Sequence, residues 1–263
     1  MIRNLIYSLA LPLALSVFAA NGQTVTLDYH FNHETHKSNN GEPERFHYLW
    51  EETDNNGYSI LGENFKSQGF VLRSLESAPS AANLKGTSVY IIVDPDSKKE
   101  NPNLNYIQPA DVENIAEWVK QGGVLVMFAN DSANVELPHF NKLANTFGFN
   151  FNNDLQNHVI DDNHFEDGGV AIKNNPVFTT AGKIYMKDVC SITTTGNAKA
   201  VVKNSNGATL IASARYGKGT AIAIADPWLY NEYTNGRLPA KHGFENDKAA
   251  HDLVIWLKGL TAK

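Results

Sequence analysis

The segment Asp28–Gly62, DYHFNHETHKSNNGEPERFHYLWEETDNNGYSILG, joins the first predicted strand to the first predicted helix. Over residues 24–32 apolar and polar residues alternate, which is the period of a half-buried strand. After Asp54-Asn55-Asn56-Gly57 the apolar spacing becomes that of a helix. The polar loop between them is about twenty residues long, longer than most connections in a compact domain. Because open α/β sheets bind ligands in the loops that follow their strands, this loop is the first place to expect a functional site.

The remainder of the chain continues the alternation of strand and helix. Ser88–Val93 and Val124–Phe128 are continuous apolar runs, typical of strands buried on both faces of a parallel sheet. Pro109 opens an amphipathic helix that stops at Gly122-Gly123. Further helices are predicted over 58–68, 140–147 and 247–260, and further strands over 70–75, 198–203, 209–215 and 220–225. The sequence therefore predicts an α/β fold with a doubly wound, mostly parallel, flavodoxin-like sheet.

The domain organisation predicted from composition has two parts. Residues 1–22 have the pattern of a secretory signal peptide, with Arg3, an apolar core over Leu5–Phe18 and small residues at its end. Residues 23–263 form a single α/β domain, and the Asn- and Asp-rich section 149–195, with its short β-like pieces, is a β insertion or antiparallel extension. We therefore expect a periplasmic or secreted protein with no membrane segment after cleavage.

Charge and cysteine content limit the possible functions. With 22 basic and 28 acidic residues the chain carries a net charge of −6, which argues against a nucleic-acid partner. Cys190 is the only cysteine, so the chain cannot form an internal disulfide. Arg45 and Arg237 fall in aromatic polar loops, where a guanidinium could bind a carboxylate or sulfate through two parallel donors. The alternative is that each arginine pairs with a nearby acidic side chain.

The residues that could carry chemistry follow the predicted strands. They are Asp28, His30 and His33 after the first strand, Asp94 and Asp96 after a middle one, Asn130 and Asp131 after the next, and the run Asp226–Tyr233 after the last. If these strands are parallel, the side chains converge on one edge of the sheet. Trp50, Trp228, Tyr230 and Tyr233 suit stacking on sugar rings, although aromatic residues in loops also pin loops to a core.

We expect no cofactor, but a metal site is an open alternative. Asp28, His30, His33 and His36 could supply imidazole and carboxylate ligands, in a spacing that matches no standard zinc motif. Nucleophilic catalysis is disfavoured. The order of strands and helices resembles the class I glutamine amidotransferase fold, in which a nucleophilic cysteine follows a central strand. The matching stretch here, Val126–Asp131, has no Cys and no glycine-flanked Ser.

Three segments carry a more specific resemblance: Phe46–Thr53, FHYLWEET; Ile92–Asp96, IVDPD, with Asn105-Tyr106-Ile107; and Asp226–Tyr233, DPWLYNEY. They resemble a family of secreted, amidotransferase-like proteins of polysaccharide-degrading bacteria, in particular the oligosaccharide dehydratases of ulvan breakdown. The resemblance covers nearly the whole mature chain. It implies a carbon–oxygen lyase that removes water from a non-reducing-end glucuronic or iduronic acid linked to sulfated rhamnose. The product would be a 4,5-unsaturated uronic acid, which unsaturated-uronyl hydrolases consume.

Such an elimination needs a cation at the carboxylate, a base for the C5 proton and an acid for the departing hydroxyl. We assign His47 as the base, Tyr48 or Tyr230 as the acid, and Glu51 or Glu232 as the carboxylate that orients them. The substrate-binding residues predicted for the anionic oligosaccharide are Arg45, Arg237, Trp50, Trp228, Tyr233, Asp94 and Asp226.

Two other functions fit the same loops. One is a non-catalytic carbohydrate-binding accessory protein. The other is a glycoside hydrolase in which two of Glu51, Glu52, Asp94, Asp226 and Glu232 face each other across a bond.

Overall fold

The computed structural model describes residues 22–131 and 133–261. The strands are β1 Thr24–Asp28, β2 Thr35–Lys37, β3 Pro43–Arg45, β4 Val71–Leu75, β5 Thr87–Val93, β6 Val124–Phe128, β7 Phe149–Phe151, β8 Gly169–Ala171, β9 Lys183–Tyr185, β10 Ile192–Thr194, β11 Lys199–Lys203, β12 Thr209–Tyr216 and β13 Gly219–Ile224. The α-helices are α1 Ser59–Ser67, α2 Pro109–Gln121, α3 Leu137–Thr146 and α4 Asn246–Thr261. Short 3-10 helices cover Asp162–Gly168, Asn231–Tyr233 and Ala240–His242.

A seven-stranded sheet forms the centre of the molecule, in the order β11-β12-β13-β6-β5-β1-β4. The five strands from β13 to β4 are parallel, whereas β12 and β11 run antiparallel to their neighbours. Small antiparallel sheets pair β7 with β10, β8 with β9 and β2 with β3. The prediction of an α/β protein with a mainly parallel sheet is therefore confirmed, and 149–195 does contain short antiparallel strands.

The core follows from the apolar runs of the sequence. Strands β6 and β13 are buried along their whole length. Helix α4 packs on β5 and β6 and contacts α1, while α2 packs on β13 and contacts α3. Helix α2 ends before Gly122, because Gly122 has a φ of 129°, which is not a helical conformation and which residues other than glycine rarely adopt.

Two local predictions about the first strand and the loop were wrong. The first strand ends at Asp28 rather than near Asn32, because the Asp28 carboxylate accepts hydrogen bonds from the backbone N–H groups of His30 and Phe31, at 3.1 and 2.7 Å. Those bonds turn the chain away from the sheet. The loop that follows also contains the β2–β3 hairpin, which the sequence did not predict.

Of the predicted signal segment 1–22, residues 1–21 lie outside the described part of the chain. Among the helices that the structure describes, none combines the length and apolar character needed to cross a membrane.

Candidate functional site

Three loops meet at the carboxyl edge of the parallel strands. The Asn32 side chain donates a hydrogen bond to the Asp94 carbonyl at 2.9 Å, which joins the first loop to the loop after β5. The Asn231 side chain donates to the Glu52 carbonyl at 3.0 Å, which joins the first loop to the loop after β13. These contacts confirm that the loops 28–56, 94–106 and 226–243 lie at one edge of the sheet, as parallel strands require.

A pocket of about 330 Å³ opens at this edge, beside the ends of β6 and β13. Its volume lies within the range of small-molecule sites, roughly 300–1,000 Å³. The lining residues are Asn130, Asp131, Asn134, Leu155, His158, Lys187, Asp188, Asp226 and Tyr230. Four of them come from the section 149–195, which was predicted only as a β insertion or antiparallel extension. This section supplies one wall of the pocket.

Asp226 contributes a buried carboxyl group to this pocket. It is 2% exposed, and its Oδ2 atom is buried without a hydrogen-bond partner among the described residues. Burial raises the pKa of Asp226 well above its usual range; the negative charge of Asp94 adds to this effect, and the Lys187 ammonium opposes it. Such an environment favours the neutral carboxylic acid, which can donate a proton or a hydrogen bond.

Lys187 and the pair His158–Asp188 stand on the wall formed by the insertion. The Lys187 ammonium forms no ion pair within the part of the chain that the structure describes, so its charge is available to an anion in the pocket. The Nδ1 atom of His158 lies 2.7 Å from Oδ1 of Asp188. In the tautomer in which Nδ1–H donates this hydrogen bond to Asp188, the other imidazole nitrogen carries a free lone pair.

The backbone that carries these residues is held in an unusual conformation. Asn157 and Asp188 have φ values of 48° and 51°, in the left-handed region. The two residues face each other: the Asp188 N–H donates to the Asn157 carbonyl at 3.1 Å, and the side chain of Asn204 donates to Asn157 Oδ1 at 3.1 Å. Asn and Asp tolerate this conformation better than most residues. The two turns therefore fix the positions of His158 and Lys187.

Tyr230 forms a further part of the wall, and Tyr48 lies behind it. The two rings meet edge to face with centroids 6.1 Å apart. Tyr48 donates its hydroxyl hydrogen to Asp94 Oδ2 at 2.9 Å, and the backbone N–H of Asn130 donates to Asp94 Oδ1 at 2.6 Å. Burial raises the pKa of Asp94 to about 7, while these two hydrogen bonds lower it. Both oxygens of Asp94 are therefore engaged within the protein, one with Tyr48 and the other with the pocket residue Asn130.

His47, assigned from the sequence as the base, does not line this pocket. Its side chain is only 25% exposed, its ring stacks on Tyr48 at 3.9 Å, and its Nδ1 atom lies 2.7 Å from Oε1 of Glu34. Burial lowers the pKa of His47, but the hydrogen bond and charge of Glu34 outweigh it, so the pKa is raised overall. The orienting carboxylate is therefore Glu34; Glu51 and Glu232, predicted for this role, are both exposed.

The two arginines predicted to clamp an anion are engaged elsewhere. Arg45 pairs with Glu76 at 2.8 Å and lies over the Tyr29 ring at 4.1 Å. Arg237 is exposed and donates to Asn55 Oδ1 at 2.5 Å. For Arg45 the alternative of an ion pair with a nearby acid is confirmed, and neither arginine lines the pocket.

The aromatic residues predicted to stack on sugar rings belong to the core. Trp50 is 8% exposed and donates through Nε1 to the Arg73 carbonyl at 3.1 Å. Trp228 is fully buried, and Tyr233 is 5% exposed and packs against Tyr185. The alternative that these residues pin their loops to the core is therefore the correct one, and Tyr230 alone of the four lines the pocket.

The proposed metal ligands are not assembled around a common centre in the described part of the chain. Both oxygens of Asp28 already accept hydrogen bonds, Oδ1 from its own loop and Oδ2 from the Tyr90 hydroxyl at 2.5 Å.

Comparison with solved structures identifies the fold. The N-terminal domain of mmIFT52 is 15% identical, with a TM-score of 0.66 over 90% of this chain and 97% of that one. The cytoplasmic protein STM1381 from Salmonella typhimurium LT2 is also 15% identical, with a TM-score of 0.58 over 90% of this chain and 99% of that one. Likeness at this identity concerns the fold alone.

No curated protein matches the sequence. Residues 51–238 match the family DUF4350, described as a domain of unknown function, and this range includes every residue that lines the pocket. The match covers well over half of the sequence, and the chain belongs to the DUF4350 family.

Proposed function

We propose that the chain is an oligosaccharide dehydratase that removes water from a non-reducing-end uronic acid, linked to sulfated rhamnose, to give a 4,5-unsaturated uronic acid. The proposal includes a secreted or periplasmic location and a doubly wound, amidotransferase-like sheet. The observation that carries it is the meeting in one pocket of the buried Asp226 carboxyl group, the Lys187 ammonium and the pair His158–Asp188. Among the described residues, Asp226 Oδ2 has no hydrogen-bond partner and Lys187 forms no ion pair.

Each demand of the elimination has a candidate in this pocket. The Lys187 ammonium would neutralise the substrate carboxylate and stabilise the charge that develops when C5 loses its proton. His158, held by Asp188, would take that proton. The electron pair of the C5–H bond then forms the C4–C5 double bond as the C4–O4 bond breaks. Asp226 would give its proton to O4, which leaves as water, and solvent would return the proton from His158 to Asp226.

Elimination is favoured over hydrolysis by the state of the carboxylates. Glycoside hydrolysis needs two carboxyl groups free to act on opposite sides of a bond. Asp131 lines the pocket beside Asp226, but its oxygens accept from the Ala133 N–H at 2.7 Å and from the Asn134 side chain at 3.5 Å, so it caps its own turn. Asp188 is committed to His158.

The test is incubation of the purified protein with oligosaccharides that end in glucuronic or iduronic acid. We expect absorbance from a conjugated double bond together with the loss of one water from the mass. Release of smaller sugars would indicate a hydrolase instead. Binding without any change of mass would indicate an accessory protein. Asp226→Asn should remove the absorbance change, whereas Asp167→Asn, at an exposed position outside the pocket, should retain it.

A further inference from the structure

A second pocket, larger than the first, lies at the opposite edge of the sheet. It is a groove of about 1,000 Å³ at the amino ends of β5, β6 and β13, lined among others by Thr87, Gly123 and Lys218. The reaction pocket opens at the carboxyl ends of the same strands, so the length of the strands separates the two sites. The groove is therefore distinct from the proposed reaction site.

The charge of the groove is opposite to that of the whole protein. Lys85, Arg215 and Lys218 line it, and Glu117 is the only acidic side chain among its described lining residues. The Glu117 carboxylate is already offset, since Lys120 lies 3.5 Å away and the Gln121 side chain donates to it at 2.9 Å. Screening over roughly 8–10 Å at physiological salt lets this local excess of positive charge set the field in the groove, despite the overall charge of −6.

The walls of the groove are preformed. The turn that carries Lys218 is fixed to the end of α2, because the Lys218 N–H donates to the Lys120 carbonyl at 2.9 Å. Arg215 closes the same turn by donating to the Lys218 carbonyl at 2.7 Å. Trp118 is half-buried in the groove, and its indole lies so close to Gly123 that a Cβ atom there would approach it to 2.4 Å. An aromatic surface beside cations on a rigid backbone suits an anionic sugar chain.

We propose that this groove is a second carbohydrate-binding site, which holds an anionic polysaccharide through Lys85, Lys218 and Trp118 at a distance from the reaction pocket. The choice of a polysaccharide as the anion rests on the proposed function; the positive charge and the shape of the groove do not.

The proposal is tested by electrophoresis of the native protein through gels that contain ulvan, an unsulfated polyuronate or dextran. We expect the two anionic polymers to retard the protein and dextran to leave its mobility unchanged. The double variant Lys85→Glu with Lys218→Glu should weaken binding at least about tenfold, because it reverses two surface charges that each contribute a modest part of the binding free energy. Lys142→Glu with Lys173→Glu makes the same change of charge at exposed positions outside the groove and should bind as the wild type does.

Several outcomes would overturn the proposal. They are equal retardation of both double variants, retardation by dextran, and no retardation by any polymer. Should the glutamate variants unfold, Lys85→Ala with Lys218→Ala gives the same comparison. Binding is measured apart from turnover, so a protein without dehydratase activity can still bind ulvan through the groove. Conversely, an active enzyme whose affinity for the polymer is unchanged by substitution of Lys85 and Lys218 would refute the groove as a binding site and leave the proposed function standing.

Discussion

The Asp28→Asn substitution tests whether the buried Asp28 carboxyl group, at the carboxyl edge of the sheet, stays protonated in the folded protein. The effect is read from protein stability. Asp28 is 4% exposed, its Oδ1 accepts from two backbone N–H groups, and its Oδ2 accepts from the Tyr90 hydroxyl. Asparagine has the same shape. Its oxygen can keep the backbone bonds, and its amide can donate to the Tyr90 oxygen. The exchange of donor and acceptor changes stability by an amount that is the same at every pH.

A second part of the change in stability depends on pH. Burial raises the pKa of Asp28 from 3.8 to about 7, although its hydrogen bonds lower it. Because the folded pKa is raised, the carboxyl group stabilises the native state below the unfolded pKa, and that contribution is lost as the pH rises through the folded value. Between pH 5 and pH 7 the unfolded chain is ionised at this position, whereas the folded chain stays protonated until the pH approaches 7, where it is half ionised. Each pH unit therefore lowers the free energy of unfolding by at most about 1.4 kcal/mol, and the loss over the interval is about 2 kcal/mol.

Asparagine does not titrate, so the variant escapes this loss. We expect the free energy of unfolding of Asp28→Asn, relative to wild type, to rise by about 2 kcal/mol from pH 5 to pH 7 and to level off at higher pH. Urea denaturation followed by circular dichroism at each pH measures it. Asp167→Asn makes the same chemical change at an exposed position and is the matched control. A difference between Asp28→Asn and wild type that stays constant from pH 5 to pH 7 would refute the ionisation argument.

Three further predictions concern the pocket and the arginines. Lys187→Ala should lower kcat/KM on uronate-ended oligosaccharides about 10²–10³-fold by removing the cation at the carboxylate, whereas Lys173→Ala should have no effect; equal activity of both variants would exclude Lys187 from the site. His158→Gln should lower kcat about 10²–10⁴-fold with an unchanged circular dichroism spectrum, and wild-type activity should fall as the pH rises through the raised pKa of Asp226; a rate that rises with pH throughout would show that Asp226 is not the acid. Arg237→Lys should keep nearly full activity because its guanidinium binds Asn55 rather than the pocket, and a loss greater than about tenfold would return that arginine to the mechanism.

The parts of the fold that could be predicted are those fixed by local pattern. The run Val124–Phe128 is a strand with the predicted bounds, because five successive apolar residues have to be buried on both faces of the sheet. The helix from Pro109 to Gln121 ends where the glycine pair begins. The convergence of Asp94, Asn130 and Asp226 on one edge follows from parallel strands, and the sequence predicted it.

The site itself was only partly predictable, because burial and long-range contacts decide it. Trp50 and Trp228 fall in segments that the sequence predicts as polar loops, and only their tertiary contacts show that they lie in the core. His158 and Lys187 are distant in the chain from Asp226, and they reach it through an insertion whose β-like pieces are too short to predict how it folds onto the sheet. The available signal was a His and a Lys-Asp pair beside short β-like pieces in an Asn-rich section.

The role of the first loop follows from where the backbone is strained. His47, Tyr48 and Asp94 have φ values of 74°, 55° and 35°, and the Tyr48–Asp94 hydrogen bond joins the two strained segments. Each such residue costs roughly 1–3 kcal/mol and persists only where its surroundings hold it in place. Here Glu34 holds His47, and the Asn130 N–H holds Asp94. His47, Tyr48 and Asp94 are not among the described residues that line the pocket. The strained loop therefore holds Asp94 through Tyr48 and packs against the Tyr230 ring, while the groups proposed to react are Asp226 and residues of the insertion.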